Sequence, residues 1–358
     1  MSVYFRVDGL PEIGMGHISR CITISMELIR MGFTVTFLLS NDYAIDMIRS
    51  LSIYAVELVC ERPYSIEEIS LLRTCIDEKE ESILIVDSYY AGDEYLNALE
   101  SIIPTIYIDG LYHCRANISG VINYNAAARR DEYKIRFAGM KTKLIIGTEY
   151  TPVKRAFKIA RNKRSNRIDV SEKLNVLITT GATDRYDVIE HLCRKIISRS
   201  QKQCQYHIVL GKSYSDPQKI YALLSEYEEL HVYCDVKDMA SLMSNMDIAI
   251  SAAGTTVYEL LCVGVPAIVY GTVDIHASFE KLKPNIVWIG DIRSATMDEF
   301  DKKINYIIEI LYLLIGNKRE RELITENALS FIDGDGALRL CNEIISLRAL
   351  RGDQIYYE

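Results

Sequence analysis

Val3-Tyr4-Phe5-Arg6-Val7-Asp8-Gly9-Leu10-Pro11-Glu12-Ile13-Gly14-Met15-Gly16-His17-Ile18-Ser19-Arg20 combines an apolar run, a glycine-bearing loop and the start of an amphipathic segment. Val3–Val7 predicts a strand. His17–Met31 carries Ile22, Ile24, Met26, Leu28 and Ile29 and stops before Gly32, which predicts a helix. Working outward, Phe33–Leu39 predicts a second strand. Ile83–Val86 and Thr105–Ile108 predict two more, each running into an aspartate, Asp87 and Asp109. Strands alternating with helices imply a parallel sheet covered on both faces.

The alternation restarts further on. Leu174–Thr179, Tyr206–Leu210, His231–Cys234, Ile248–Ser251 and Ala267–Tyr270 predict strands, and Met297–Ile315, Arg319–Ser330 and Leu338–Leu350 predict helices. Between the halves, Lys154–Arg167 holds seven Lys/Arg and no Asp/Glu, and is read as a solvated basic linker or an anion-binding patch. The expected organisation is an N-terminal Rossmann-like domain over 1–153, a linker over 154–172, a C-terminal Rossmann-like domain over 173–330, and a closing helix over 331–358 that packs back toward the N-terminal domain. Ligands of doubly wound sheets bind beyond the carboxyl ends of strands, so the loops after Val7, Val86, Ile108, Thr179 and Ile250 are the places to search.

Composition narrows the function classes. The 358 residues are 49% hydrophobic and 25% charged, which is enough apolar material for sizeable cores. With 41 Lys+Arg against 49 Asp+Glu, the net charge of −8 argues against a nucleic-acid-coating protein. No apolar stretch reaches membrane-spanning length, since Ile304–Ile315 is short and interrupted by Asn305 and Glu309. The nine cysteines lack CxxC spacing, and Cys60, Cys193 and Cys262 are read as buried thiols of a reducing compartment, so the expected location is cytoplasmic.

Two loops carry candidate chemistry. In the first, Gly14 and Gly16 allow close backbone approach to a ligand ahead of a helix N-terminus that favours anions. Ser19 stands where a dinucleotide fingerprint needs glycine, and the loop is too long for that motif, which argues against NAD. His17 falls in the first helical turn, where partial positive charge favours neutral imidazole able to accept a proton. In the second, Ser251-Ala252-Ala253-Gly254-Thr255-Thr256-Val257-Tyr258-Glu259 follows a strand and opens a helix. Its free amides and the Thr255 and Thr256 hydroxyls suit a diphosphate, and Glu259, one turn in, suits a ribose diol.

Gly-x-Gly-His-x-x-Arg at Gly14–Arg20, with the small-residue loop leading to Glu259 and Gly264-Val265-Pro266, resembles the GT-B superfamily of nucleotide-sugar enzymes. More narrowly, the chain is similar to the UDP-2,4-diacetamido-2,4,6-trideoxy-β-L-altropyranose hydrolases of pseudaminic acid biosynthesis and to related spore-coat polysaccharide proteins. The resemblance runs through Arg6-Val7-Asp8, Val86-Asp87-Ser88-Tyr89, Asn123-Tyr124-Asn125, Gly147-Thr148-Glu149-Tyr150, Gly181-Ala182-Thr183-Asp184, Asp247 to Glu259 and Asp333-Gly334-Asp335-Gly336-Ala337. It implies a GT-B fold, with two doubly wound Rossmann-like domains facing across a cleft. It also implies hydrolysis of the anomeric C–O bond of a UDP-linked deoxy-diacetamido sugar, with no metal and no cofactor. His17 matches the water-activating histidine and Tyr89 a site tyrosine. Gly254, Thr255, Thr256 and Glu259 match diphosphate and ribose contacts, and the backbone near Asp235-Val236 matches the uracil pocket. Gly14, Gly16, Arg20, Asn125, Gly181 and Thr183 complete the substrate-binding set that the resemblance implies.

Three departures leave the sugar open. Ala253 replaces a glycine of the phosphate loop, Asp109-Gly110 replaces an aspartate pair, and Ile275-His276, after Asp274, replaces the Asn-Gln pair that related transferases aim at the donor sugar. His276 is a candidate to supply the lost polar contact. A GT-B glycosyltransferase using a UDP-sugar donor for surface polysaccharide, and a non-catalytic sugar-nucleotide-binding protein, are the competing readings. The expected partner is a UDP-sugar, with no nucleic acid and no membrane insertion, and a monomer or weak oligomer is expected.

Overall fold

The structure, a computed structural model, describes residues 2–7, 16–40, 44–77, 81–165, 173–181, 183–199, 204–294 and 296–352. The chain divides into two compact units, Met1–Pro152 together with Asp335–Glu358, and Val153–Gly334. In the first unit β1 (Ser2–Val7), α1 (Gly16–Arg30), β2 (Thr34–Leu39), α2 (Ile45–Ser50), β3 (Tyr54–Glu57), α3 (Ile66–Cys75), β4 (Ser82–Asp87), α4 (Asp93–Glu100), β5 (Thr105–Ile108), β6 (Gly120–Asn123), α5 (Arg130–Arg136) and β7 (Lys143–Ile146) follow one another. The strands form one sheet in the order β3-β2-β1-β4-β5-β6-β7, with every pairing parallel. Alternate residues of the central strands feed two cores. Val3, Phe5, Val7, Ile83 and Ile85 pack beneath α1 and α2, while Tyr4, Leu84, Val86 and Tyr107 pack against α3 and α4.

The second unit begins with α6 (Arg155–Ser165). It continues through β8 (Leu174–Thr179), α7 (Val188–Arg199), β9 (Cys204–Leu210), α8 (Pro217–Leu224), β10 (Leu230–Cys234), α9 (Met239–Ser244), β11 (Ile248–Ala252), α10 (Thr255–Val263), β12 (Ala267–Gly271), β13 (Val287–Asp291), α11 (Met297–Gly316) and α12 (Lys318–Phe331). Its sheet runs β10-β9-β8-β11-β12-β13, again wholly parallel. Helix α10 stops where Gly264 turns left-handed at φ 79°, returning its N–H to Leu260 at 2.9 Å. A Cβ there would also come within 2.7 Å of Leu329, so both backbone and packing demand glycine.

The basic run is not a solvated connector. Over Arg155–Ser165 it is helical, belongs to the second unit and buries Phe157 and Ala160. Two of its cations are spent on backbone: Arg161 donates to the Leu329 and Ile332 carbonyls at 2.9 Å each, and Arg164 to the Met246 carbonyl. Cations suit the unpaired carbonyls where helices end. Residues 166–172 of the expected linker lie outside the described residues. Of the three thiols read as buried, Cys193 and Cys262 are so, whereas Cys60 is half-exposed in the loop after β3.

After α12 the chain enters α13 (Gly336–Gly352), which belongs to the first unit. Leu340, Cys341, Ile344 and Leu347 join the core shared by β1 and α1. Glu343 pairs with Lys143 at 2.5 Å, and Arg339 donates to the Glu149 carbonyl at 2.7 Å. Among the described residues, no helix is long and apolar enough to cross a membrane.

Candidate active site

In the first sheet the chain turns in opposite directions from β1 and β4, which are neighbours. Their carboxyl ends form the switch point where doubly wound sheets place ligands. Helix α1 sets out from this edge with His17 in its first turn, and Asp87 closes β4 beside it. His17 is 3% exposed and Asp87 fully buried. Nδ1 of His17 lies 2.6 Å from Oδ1 of Asp87. Burial alone would raise the Asp87 carboxyl. The Arg20 guanidinium, and then His17, outweigh burial and hold it well below the usual carboxylate range. Arg20 Nη2 also lies 3.1 Å from Nδ1 but is directed at Oδ1 of Asp87; the shorter contact is to an ionised carboxylate, which only accepts, so Nδ1 carries the proton and donates it. Nε2 is then a lone-pair nitrogen, and it is buried with no hydrogen-bond partner among the described residues.

Arg20 follows His17 by three positions and therefore shares its face of α1. Its Nε donates to Oδ2 of Asp87 at 2.5 Å and its Nη2 to Oδ1, a two-pronged pairing. Cys21 Sγ adds a weaker contact to Oδ2 at 3.3 Å, and Arg20 Nη1 reaches the Tyr124 hydroxyl at 3.4 Å. Burial works against the Arg20 charge, but Asp87 prevails and keeps the guanidinium pKa well above its ordinary value. Tyr89 is half-buried and stands edge-on to the His17 imidazole, with 4.4 Å between ring centroids and planes 85° apart. Gly110 gives it room: a Cβ there would come 3.3 Å from the Tyr89 ring.

Of the remaining residues expected in this unit, Gly14 lies outside the described residues. Gly16 begins α1, and a Cβ on it would meet nothing within 4 Å among the described residues. Asn125 holds a turn after β6, its side-chain oxygen accepting from the Ala127 amide at 3.0 Å. Asp109 is buried as a structural carboxylate, accepting from the His113 amide at 3.0 Å and the Tyr133 hydroxyl at 2.8 Å.

The second unit has its own switch point, between β8 and β11. Gly254 precedes α10 in extended backbone with no side-chain cap, and a Cβ on it would meet nothing within 4 Å. Thr255 is exposed, while Thr256 and Glu259 are half-buried. The first-turn amides of α10 are thus presented without a competing side-chain acceptor. Burial raises the Glu259 carboxyl to about 7, with Lys154 opposing the shift. After β8, Gly181 adopts φ 80° and Thr183 is exposed. Asp235 is exposed and left-handed at φ 46°; its amide is spent on the Leu210 carbonyl at 3.2 Å and its carboxylate on Lys237 at 2.5 Å. Val236 beside it is half-buried. His276 lies past β12, where the Thr272 amide donates to its Nδ1 at 3.1 Å and burial lowers its pKa. The neutral ring therefore bears its proton on Nε2, a hydrogen-bond donor. Among the described residues, no group of three or more His, Cys, Asp or Glu is arranged to hold a metal.

Solved structures share this architecture across nearly the whole chain. MurG of Acinetobacter baumannii superposes with a TM-score of 0.60 at 16% identity, covering 96% of this chain and 99% of that one. The fold is GT-B. A UDP-GlcNAc 2-epimerase from Methanocaldococcus jannaschii has the same GT-B architecture, with a TM-score of 0.57 at 12% identity, covering 97% and 100%. Residues 175–271 match the glycosyltransferase family 28 C-terminal domain. Homologues include a UDP-2,4-diacetamido-2,4,6-trideoxy-β-L-altropyranose hydrolase of Campylobacter jejuni, 25% identical over 73% of this chain and 88% of that protein. They also include the spore coat polysaccharide biosynthesis protein SpsG of Bacillus subtilis, 25% identical over 78% and 80%. An uncharacterized protein of M. jannaschii, MJ1062, is 22% identical over 75% of this chain, but that match spans only 55% of the archaeal protein. The chain thus combines the GT-B fold with a glycosyltransferase family 28 C-terminal domain match in its second unit.

Sequence reasoning put forward His17 and Tyr89, which the structure brings together, and left Asp87 out of the candidate site. The available signal was its position: an acidic residue ending an apolar strand, at the carboxyl edge beside a histidine-bearing helix start.

Proposed function

We propose that the protein hydrolyses a UDP-linked deoxy-diacetamido sugar at its anomeric C–O bond, releasing UDP and free sugar. The observation that carries this reading is the buried Nε2 of His17, without a hydrogen-bond partner among the described residues and held in the accepting tautomer by Asp87. In the proposed step, water attacks the anomeric carbon opposite the diphosphate. Its proton passes to His17 Nε2, and the C–O bond electrons leave with UDP. One positioned base supplies about 10²–10⁴-fold. The α10 amides are assigned to the charge developing on the diphosphate, and Glu259 to the ribose diol. Gly16 and Gly254, which nothing in the described protein requires to be glycine on steric grounds, fit close approach of a ligand. His276 is assigned to the sugar as a neutral donor. The 25%-identical Campylobacter hydrolase favours water as the acceptor.

A second reading, transfer of the sugar to an acceptor hydroxyl activated by the same His17, draws on the family 28 match over 175–271. The test is incubation with a panel of UDP-sugars, with and without polysaccharide or lipid acceptors, following UDP release and anomeric configuration by NMR. Acceptor-independent release with inverted configuration supports hydrolysis. Release that requires acceptor supports transfer and overturns the first reading.

A further inference from the structure

We infer that Arg20 is a positioning residue for His17, acting through Asp87 to fix which imidazole nitrogen is free; this rests on the reading of His17 as the base. The guanidinium is already committed. Nε and Nη2 both donate to Asp87, and Nη1 is directed at Tyr124, so little of Arg20 is left for a substrate phosphate. Its side chain is only 12% exposed, where a phosphate-binding arginine would present its donors to the ligand. The bidentate grip prevents the carboxylate from rotating. It keeps Oδ1 on the Nδ1–H of His17, 2.6 Å away.

The charges support the same role. Around the imidazole stand Arg20 on α1, Asp87 at the end of β4, the Tyr89 ring, the Cys21 thiol and, through Arg20, the Tyr124 hydroxyl. Arg20 and Asp87 cancel, so His17 sits beside a neutral pair. Without Arg20, a buried unpaired carboxylate would be left against the ring. It would either take up a proton and stop fixing the tautomer, or draw a proton onto the imidazole. The first leaves Nε2 bare in only part of the population, and the second protonates it outright.

The first readout of the test is independent of activity, which separates its failure from failure of the hydrolase reading. Protein labelled with ¹⁵N-histidine is examined by two-bond ¹H–¹⁵N spectra near neutral pH, with the His17 signals identified by their absence in His17→Asn. The wild type should show a single tautomer, with protonated Nδ1 and bare Nε2. Arg20→Lys keeps the charge but loses the two-pronged grip, and Arg20→Met loses both. Arg20→Lys should keep the folded amide spectrum while its His17 signals move to mixed tautomers or imidazolium. On a turned-over UDP-sugar its kcat should fall by about 10²-fold with KM little changed. Arg20→Met should move the His17 signals further. Should it fail to fold, the lysine variant alone decides. A single Nδ1–H tautomer persisting in folded Arg20→Lys, or a raised KM with unchanged kcat, would overturn the inference and make Arg20 a substrate contact or a structural residue.

Discussion

The carboxyl edges of the two sheets solve different problems. At the first, β1 and β4 bring together a buried imidazole, a buried carboxylate and a half-buried guanidinium, mutually bonded, with one imidazole nitrogen unpartnered among the described residues. At the second, β11 leads into an uncapped helix whose donors are backbone, with one half-buried carboxylate a turn further on. Side-chain triads hold a proton at a chosen atom. Backbone amides hold charge without titrating. Under the proposed hydrolysis the contrast places proton transfer in the first unit and nucleotide recognition in the second, and substitutions should then separate rate from affinity.

The largest effect belongs to His17. His17→Asn keeps the polar shape but cannot take a proton from water at neutral pH, so kcat should drop by about 10²–10⁴-fold while UDP affinity, read by calorimetry, stays close to wild type. Loss of UDP binding in step with rate would erase the division between the two edges.

The converse experiment uses Gly254→Ala. With extended backbone and open space around it, alanine should leave the unliganded melting temperature unchanged yet obstruct a diphosphate. UDP at about 100 times its Kd stabilises a native protein by about 2.7 kcal/mol, and most of that shift should vanish in the variant. Glu259→Ala should reduce it less, through the ribose alone. NAD should produce no shift in any of them.

Glu259 sharpens the comparison through pH. Its carboxyl, raised by burial to about 7, must be ionised to accept both ribose hydroxyls. Affinity for an intact UDP-sugar, whose diphosphate does not titrate in this range, should therefore fall as pH drops below about 7, by at most about tenfold per unit, and level off above it. Without ligand the sign is opposite. The unfolded carboxyl ionises first, so this group's contribution to stability declines as pH climbs from about 4.5 through 7. Glu259→Gln should flatten both curves. A binding curve whose slope survives that substitution points to another group.

The smallest expected effect is that of chelation. If uncapped amides carry the diphosphate charge, EDTA should leave the rate unchanged. Loss of activity restored by magnesium would transfer that role from backbone to cation.

How much of this could be read in the chain follows contact range. The apolar runs of β1, β2, β4, β5 and β8 announced themselves, since central parallel strands are buried on both faces. Tyr54–Glu57, Gly120–Asn123 and Lys143–Ile146 did not, since each is only four residues long and begins or ends on Glu57, Gly120, Asn123 or Lys143, where the equally short Thr105–Ile108 carries residues favoured in strands at all four positions, nor did edge strand Val287–Asp291 with Gly290 inside it. The basic run misled because its charges were counted as solvated, when Arg161 and Arg164 cap distant carbonyls. In the candidate site, His17 stood out through glycines one and three residues before it. Its partner Asp87 lies 70 positions along the chain, a distance that only the parallel register of β1 and β4 closes. Local pattern reaches the candidate base, but not the carboxylate bonded to it.

Helix α13 imposes an order of events on synthesis. The core beneath α1, the helix bearing His17 and Arg20, lacks Leu340, Cys341, Ile344 and Leu347 until the whole of Val153–Gly334 has been made. Domains ordinarily mature from the N-terminus as the ribosome advances. Here the contiguous second unit can mature while the first still waits for its closing piece. A nascent chain interrupted before Gly336 would therefore carry a finished second unit beside a first unit whose core still lacks its closing helix.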